Sequence, residues 1–496
     1  NRYLYYLQVD DCCQPSNSVW PTQAGVTVPG VESGHDVAVD HLDNVYICGQ
    51  NIVGASFGPF SLSNQFGFAA SYDECGIERW AVSLPGEPIA RRLKYTATGN
   101  RLYVITDNGT NGVDLVALNA TTGGMIWNQT INASGGVSAG SVDILNDDVY
   151  IVGTYTGSLS VPGLPAITSL SSISSGFLAV WNNGTSTWNA RSLDPMSPLH
   201  GVRANGVAVH TNEHITVVGQ TTGSVDFCGF GILPPCSHVG SGAYIVQFTP
   251  ALLHETSFIQ PSRQNYLEVE YDQLNNQAIA INGNTSPAFV DAYDAVDYTL
   301  PLNWFHLAPT MEYFEDVHLN FANGHLGAYI AGRMTPVVGN DLSMAKRLDL
   351  ESGSVLVGPL VSTNFPNYTG GTAKGIATTQ QGHLMYMTGA VANTTIFGNT
   401  WLYTSTLPGD YNIYTARVYE KVYSAEFFKL DLSEVDEIDP EATLTVSPNP
   451  TNGELNIEIT LPAEEAITLQ LIDFYGRVVM EQQYGTLSNQ NVLLNL

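Results

Sequence analysis

The chain has 496 residues, of which 44% are hydrophobic and only 13% are charged. Its 17 Lys and Arg residues stand against 46 Asp and Glu residues, which gives a formal net charge of −29. This balance excludes nucleic acid and an anionic membrane surface as partners, because Lys and Arg supply the affinity for phosphate. Membrane insertion is not expected either, since no apolar run reaches the roughly 18 residues of a transmembrane helix.

The chain start and the cysteines indicate an exported protein. The first residue is Asn1, without Met or a leader, as expected of a mature form whose signal peptide has been removed. Cys228 and Cys236 flank a short loop and are predicted to form a local disulfide. The other four are expected to pair among themselves, with a staple between hairpins favoured for the last two: Cys12, Cys13, Cys48 and Cys75.

After a predicted strand at 3–9, the chain shows a unit of two β-hairpins, clearest at residues 34–84. In its first half, apolar and polar residues alternate, a turn follows at 42–44, and an apolar run ends at Gly49. Such alternation across a short turn is typical of paired strands. The second half, 68–84, has the same pattern, so the unit is a four-stranded antiparallel sheet.

The unit recurs along the chain, and this recurrence predicts the fold. Six of its seven copies end their first hairpin with an apolar pair or triplet and a glycine: Gly49, Gly153, Gly219, Gly283, Gly332 and Gly389. Four-stranded repeats of this length are typical of a β-propeller, in which each sheet buries its faces against the next. We predict an all-β propeller of about seven blades over residues 1–433, with six or eight left open by the irregular spacing. The last copy, 425–434, offers one strand, so the N-terminal segment is predicted to complete the last blade.

Residues 434–443 are acidic and polar and are predicted to be a linker. Beyond them, apolar and polar residues alternate at 455–461 and again at 467–472. This pattern predicts a small Ig-like β-sandwich over residues 444–496.

Three features of that segment carry a resemblance: Ser447-Pro-Asn-Pro450, Asn452-Gly453, and the apolar run with a turn at 471–479. They resemble the type A C-terminal sorting domain of the type IX (Por) secretion system of Bacteroidota. The resemblance implies that the type IX machinery reads 444–496 as an export address, and that the protein is then released or anchored at the cell surface. The blades resemble bacterial β-propeller repeats of such exported proteins. The family pattern continues beyond 491–496, so this form is expected to lack the last strand.

The long segment 391–423 is predicted to be a loop of the last blade that binds a ligand. Aromatic rings in a weakly charged loop suit contacts with carbohydrate or protein, because they offer flat apolar area with a polar handle. The candidate binding residues are Trp401, Tyr403, Tyr411, Tyr414 and Tyr419. In the alternative interpretation, the loop folds on itself or packs on the sandwich.

Charged residues of the first strands are predicted to lie near the axis of the ring: Asp36, Arg92, Arg203, Glu268, Glu315 and Lys374. Such a group can bind a ligand, but propeller channels are commonly polar and filled with water, and we favour that interpretation. His210 and His214 flank a turn and are predicted to be exposed. The chain lacks motifs for a P-loop, a zinc protease or an EF-hand, so no cofactor or catalytic residue is assigned. The Asp-rich turn at 40–44 can bind Ca²⁺.

These patterns favour a secreted or cell-surface protein that binds or adheres without catalysis, or that has a structural role. Its partner is then a surface glycan or a protein, presented to loops on a rigid ring. One alternative is self-association into an extracellular polymer by exchange of terminal strands. Another is a hydrolase or lyase that acts on polysaccharide at the mouth of the channel.

Overall fold

The computed structural model describes residues 19–24, 32–419, 443–447, 454–472 and 478–495, apart from short internal gaps. The gaps are 52–54, 63–66, 75, 85–88, 109–110, 170, 229–235, 284–286, 300, 310–311, 321–326, 336–340, 362, 365–370, 380–383, 393, 398–399 and 404–410. The chain divides into two compact units, 19–420 and the termini 1–18 with 421–496, which are described separately.

Residues 19–420 form seven four-stranded antiparallel blades, which confirms the predicted propeller and its blade number. From the axis outwards, blades 1 to 4 are built as follows: Ser33–Val39, Val45–Gln50, Gly67–Tyr72, Glu78–Ser83; Ile89–Thr96, Arg101–Asp107, Gly112–Asn119, Met125–Ala133; Val137–Leu145, Asp148–Tyr155, Ser175–Asn182, Thr187–Pro195; and Val202–Val209, Ile215–Thr221, Gly242–Phe248, His254–Gln260. Blades 5 to 7 follow in the same order: Glu268–Asp272, Gln277–Asn282, Phe289–Asp294, Trp304–Leu307; Glu312–Asn320, Gly327–Met334, Leu342–Leu348, Val355–Val361; and Gly371–Thr378, Leu384–Ala392, Tyr411–Tyr419, Val19–Ala24.

The ring is closed within the same chain. The inner strand of blade 7 packs beside the inner strand of blade 1. The N-terminal strand Val19–Ala24 is the outer strand of blade 7 and pairs antiparallel with Tyr411–Tyr419. The third strand of this blade is therefore Tyr411–Tyr419 and not residues 425–434, which lie outside the described residues.

Short additional strands lie in the loops at one end of the ring, opposite the turns that join the first and second strands of the blades. They are Ser56–Phe57, Phe60–Ser61, Ser158–Ser160, Ile167–Thr168, Val225–Asp226, Ser237–His238, Thr363–Asn364, Thr394–Phe397 and Thr400–Tyr403. A single 3₁₀ turn, Thr98–Asn100, is the helical structure in the described residues. Across that part of the chain, no helix has the length and apolar character to span a bilayer.

The C-terminal unit contains three antiparallel strands, Thr443–Ser447, Glu454–Ile472 and Val478–Asn495, with the longest in the middle. The alternating stretches at 455–461 and 467–472 both lie in the middle strand. The Ig-like sandwich predicted for this segment stays a prediction, as do the domain boundaries.

Five of the six glycines that end the repeats lie opposite a bulge in the inner strand. In blade 4, the pairing register shifts between Ala204 and Gly206, directly opposite Gly219 on the second strand. Shifts beside the repeat glycine also occur in blades 1, 3, 6 and 7. The bulge of blade 2 lies opposite Thr106, and the inner strand of blade 5, which precedes Gly283, pairs without a shift. A bulge bends the strand towards its partner, and a Cβ at Gly219 would overlap the carbonyl oxygen of Arg203. The repeat glycine therefore marks a close backbone approach.

The disulfide predictions are confirmed in part. Cys228 and Cys236 form the predicted disulfide. Cys48, however, is a free thiol that is wholly buried, so its predicted disulfide is wrong. Its side chain lies in the apolar layer between blades 1 and 2, packed with residues such as Leu93 and Val104, because it shares that face of the strand with Tyr46. The other predicted disulfide cysteines, Cys12, Cys13 and Cys75, lie outside the described residues.

The bulge contact makes Gly219→Ala destabilising. The added methyl group must displace the backbone of Arg203, and such overpacking costs about 1–3 kcal/mol. Urea denaturation should show this loss in the free energy of unfolding. Gly184→Ala is the matched control, because its Cβ would lie 3.6 Å from the nearest atom, Asn182 Oδ1. Equal denaturation midpoints for the two variants would contradict this account of the repeat glycine.

Candidate functional site: the charged axis of the ring

The inner strands bring charged side chains into a small cavity on the axis. Residues of the inner strands of blades 1, 2, 3, 5, 6 and 7 line this cavity. Charged side chains recur at alternate positions in blades 2 and 5, because side chains on one face of a strand recur with a period of two. The cavity has a volume of about 150 Å³. Its charged and titratable lining residues are Asp36, Arg92, Lys94, Glu268, Glu270, Asp316 and His318.

Two ion pairs cross the axis from blade 2 to blade 5. Arg92 Nε lies 3.3 Å from Glu268 Oε2, and Lys94 Nζ lies 2.9 Å from Glu270 Oε1. Ser141 of blade 3 donates a hydrogen bond of 2.9 Å to the other oxygen of Glu268. Paired side chains thus cross the cavity at the axis.

Three further carboxylates of the inner strands bond the next blade. Asp36 accepts a hydrogen bond from the backbone N–H of Leu93 at 2.9 Å. Asp143 accepts one from Val209 at 2.7 Å and Asp316 accepts one from Ile376 at 2.9 Å, again in the following blade. The inner strand is the edge of its sheet, so amides that point away from the second strand need acceptors outside the ladder.

Burial dominates the electrostatics of the axis. It raises the pKa of Glu268 to about 7 and that of Asp143 to about 6, although nearby Arg92 and Lys94 oppose the shift. The pKa of Asp316 is also raised, first by burial and then by the neighbouring carboxylate of Asp36. For Arg92, burial lowers the pKa but the surrounding carboxylates more than compensate and raise it. The arrangement is a set of buried charges that depend on one another.

Of the charged residues predicted at the axis, Asp36, Arg92 and Glu268 lie together in the cavity. Arg203 is exposed and lies outside it. Glu315 and Lys374 are the extra residues of the bulges in blades 6 and 7, and they also lie outside the cavity lining. Burial raises the pKa of Glu315 and lowers the pKa of Lys374.

The sequence reasoning missed several residues of this site: Lys94, Asp143, Glu270, Asp316 and His318. The period of two would have found two of them, since Lys94 and Glu270 lie two residues after Arg92 and Glu268, which were predicted.

The prediction that His210 is exposed is wrong. This residue is 1% exposed, and its ring stacks on Tyr271 with centroids 4.0 Å apart. Its Nε2 lies 2.6 Å from Thr216 Oγ1. The first strands of blades 4 and 5 approach closely here, so a turn residue becomes buried.

The predicted aromatic loop contains strands. Trp401 and Tyr403 lie in Thr400–Tyr403, whereas Tyr411, Tyr414 and Tyr419 lie in the third strand of blade 7. Tyr414 is 0% exposed and packs in the core between blades 6 and 7, so its prediction as a binding residue is wrong. Its neighbours along the strand, Ile413 and Ala416, are buried as well, as expected of a central strand.

The turn predicted to bind Ca²⁺ holds its carboxylate by internal contacts. Asp40 accepts hydrogen bonds from the N–H of Leu42 and Asn44, from Asn44 Nδ2 and from the hydroxyl of Tyr46, all within 2.9 Å. Calcium binding at this turn stays a prediction.

Residues 445–496 match a family model described as a secretion system C-terminal sorting domain. The C-terminal segment is a type IX secretion sorting domain. The exported propeller therefore engages the type IX machinery and reaches the outer cell surface or the medium. No curated protein matches the chain.

Solved structures similar to this chain include propellers. The chain titled "Structure of Dos1 propeller" is 10% identical with a TM-score of 0.41, covering 77% of this chain and 78% of its own length. A chain of the mitotic checkpoint complex is 9% identical with a TM-score of 0.47, covering 85% and 99%. Raptor of Chaetomium thermophilum is 9% identical with a TM-score of 0.46, covering 79% and 29%.

Replacing Glu268 with Gln should change the pH dependence of stability. Its pKa is about 7 in the folded protein against 4.5 ordinarily, so the wild type loses stability relative to the variant as the pH rises from 4.5 to 7. The loss is on the order of 3 kcal/mol, and it is complete above pH 7 and absent below 4.5.

Urea denaturation of both proteins at several pH values measures this difference. Glu351→Gln, an exposed site in a turn of blade 6, controls for the loss of one formal negative charge. A difference between wild type and Glu268→Gln that stays constant from pH 4.5 to pH 7 would contradict the assignment of Glu268 to a buried charge network.

Proposed function

We propose that the exported propeller is a non-enzymatic binding protein that acts in adhesion at the outer cell surface or in the medium. The observation that carries this proposal is the occupied axis. The carboxylates of Glu268 and Glu270 are paired with Arg92 and Lys94, and Asp36 is bonded to the next blade. General acid–base catalysis needs a carboxyl within hydrogen-bonding reach of a substrate, and these carboxyls are committed to the fold.

Binding then falls to the surfaces of the ring. A propeller whose blades are tied together at the axis offers a rigid frame, and loops on such a frame are where recognition residues concentrate. The strand Thr400–Tyr403, with Trp401 and Tyr403, is one candidate contact surface of this kind. The partner classes that suit aromatic and amide-rich surfaces are glycans and proteins.

Closure of blade 7 by the chain's own strand Val19–Ala24 supports a protein that acts as a single ring. An extracellular polymer that exchanges this strand would have to break that pairing. Size-exclusion chromatography with light scattering is expected to give the mass of one chain, and a ladder of higher masses would favour the polymer.

Catalysis and binding can be separated with the Glu268→Gln variant. We expect the full chain to bind cell-surface glycans or proteins saturably, with the variant retaining that binding and neither protein releasing reducing ends or unsaturated sugars from a polysaccharide panel. Surface plasmon resonance and a reducing-sugar assay measure the two quantities. Product release by the wild type that is lost in a folded Glu268→Gln variant would overturn the proposal in favour of a hydrolase or lyase.

A further inference from the structure

A second cavity, of about 250 Å³, lies between blades 3 and 4 and is lined by residues of their hairpin turns and outer strands. We call it the interblade pocket and define it by Asn146, Asp148, Tyr150, Trp188, Asn189 and Glu213. Pro250 of blade 4 closes one side. Its volume lies below the range of about 300–1,000 Å³ that is typical for drug-sized ligands, so it suits a compact polar molecule.

The pocket exists because blade 3 lacks a tryptophan that other blades use to fill this place. Opposite the third strand, Asn189 pairs with Val180, whereas blades 1 and 5 have Trp80 and Trp304 at the matching position. Asn189 is exposed, while the two tryptophans are 5% and 7% exposed. A short amide thus replaces a large indole at the junction with the next blade.

The contacts of Trp80 and Trp304 show which interaction is missing at the junction of blades 3 and 4. Trp80 donates its indole N–H to the carbonyl of Ala120 at 3.0 Å, and Trp304 donates to that of Leu350 at 2.7 Å. Both acceptors lie in the outer turn of the following blade. Pro250 holds the equivalent position in blade 4, two residues after the end of the third strand, and it borders the interblade pocket instead.

The hydroxyl of Tyr150 in the pocket also lacks the hydrogen bond that its counterpart in blade 2 makes. In blade 2, Tyr103 donates to Asp147 Oδ1 of blade 3 at 2.9 Å, and the junction is filled. Tyr150 is the matching residue of blade 3, and Glu213 holds the turn position of Asp147 in blade 4, with φ of 68° against 70°. Within the described residues, the Tyr150 hydroxyl makes no hydrogen bond. Glu213 is exposed at the pocket rim.

Trp188 borders the pocket beside Asn189, but its indole lies on the other face of blade 3. It packs against Trp181, with ring centroids 5.3 Å apart, in the apolar layer between blades 2 and 3. Successive residues of a strand point to opposite faces of the sheet, so Asn189 faces blade 4 and Trp188 does not. The polar groups available to a ligand are therefore those of Tyr150, Asn189, Asp148 and Glu213.

From this geometry we infer that the interblade pocket binds a neutral sugar residue, such as the terminal hexose of a surface glycan. Vicinal hydroxyls of a sugar both donate and accept. They match the carboxylate oxygens of Asp148 and Glu213, the amide of Asn189 and the Tyr150 hydroxyl. The inference rests on the proposed binding function and names its site and ligand class.

The negative charge of the pocket favours neutral sugars over acidic ones. Asp148 and Glu213 place two carboxylates at a pocket that contains no Lys or Arg, so uronic acids, sialic acids and sulfated sugars are repelled. Burial, followed by the carboxylates of Asp148 and Glu213, raises the pKa of Tyr150 to about 12, so its hydroxyl stays a donor at neutral pH.

The test uses the full chain and isothermal titration with methyl glycosides of glucose, galactose, mannose and N-acetylglucosamine, and with glucuronic acid as the charged comparison. Asn189→Trp should abolish binding, because it restores the indole that fills this place in blades 1 and 5. Tyr150→Phe should weaken binding about tenfold by removing one hydrogen bond. Tyr103→Phe is the matched control, since that hydroxyl is already bonded to Asp147, and it should bind as the wild type.

Binding of a neutral sugar that survives both Asn189→Trp and Tyr150→Phe would overturn this assignment while leaving the proposed function intact. So would adhesion of the full chain to cells or glycans without binding of any of these sugars. Preference for glucuronic acid would overturn the ligand class. Thermal unfolding of each variant, with Asn189→Trp expected to be at least as stable as the wild type, separates lost binding from lost folding.

Discussion

The close approach of the inner strands around the axis is the constraint on which the ring depends. Each inner strand must pack beside two others, and in six blades a bulge turns it towards its neighbour. Opposite the bulge there is room only for hydrogen at Gly219 and its equivalents, and amides on the free edge of the inner strands are bonded by carboxylates of the preceding blade such as Asp36 and Asp316. Blade spacing, the repeat glycine and the acidic axis are thus parts of one arrangement.

Burying these charges is costly unless every one of them has partners. Arg92 and Lys94 of one blade lie among carboxylates of several others, so the axis is stable only when the blades are assembled together. Removing one partner leaves an uncompensated charge in a region of low dielectric constant. The charged side chains that hold the blades together at the axis are occupied by ion pairs and hydrogen bonds within the ring. In the function proposed above, recognition falls to the surfaces and junctions of the blades.

Departures from the repeat are therefore more informative about function than the repeat itself. Trp80 and Trp304 fill equivalent junctions and satisfy their indole N–H groups there. At the junction of blades 3 and 4, Asn189 leaves a cavity with an open hydroxyl at Tyr150. A scaffold of repeated sheets tolerates such a change because each blade touches only its neighbours.

Alternating strands, repeat glycines and the sorting motif could be predicted from the sequence by itself, because each depends on residues close together in the chain. What only the tertiary structure decided depends on distant partners. Arg92 meets Glu268 across 176 positions of the chain. The strand Tyr411–Tyr419 has the composition of an aromatic loop, and it becomes a central strand because Leu384–Ala392 and the N-terminal strand Val19–Ala24 pair with its two edges. Likewise, Asn189 is an ordinary surface amide until its register against Val180 places it where other blades carry tryptophan.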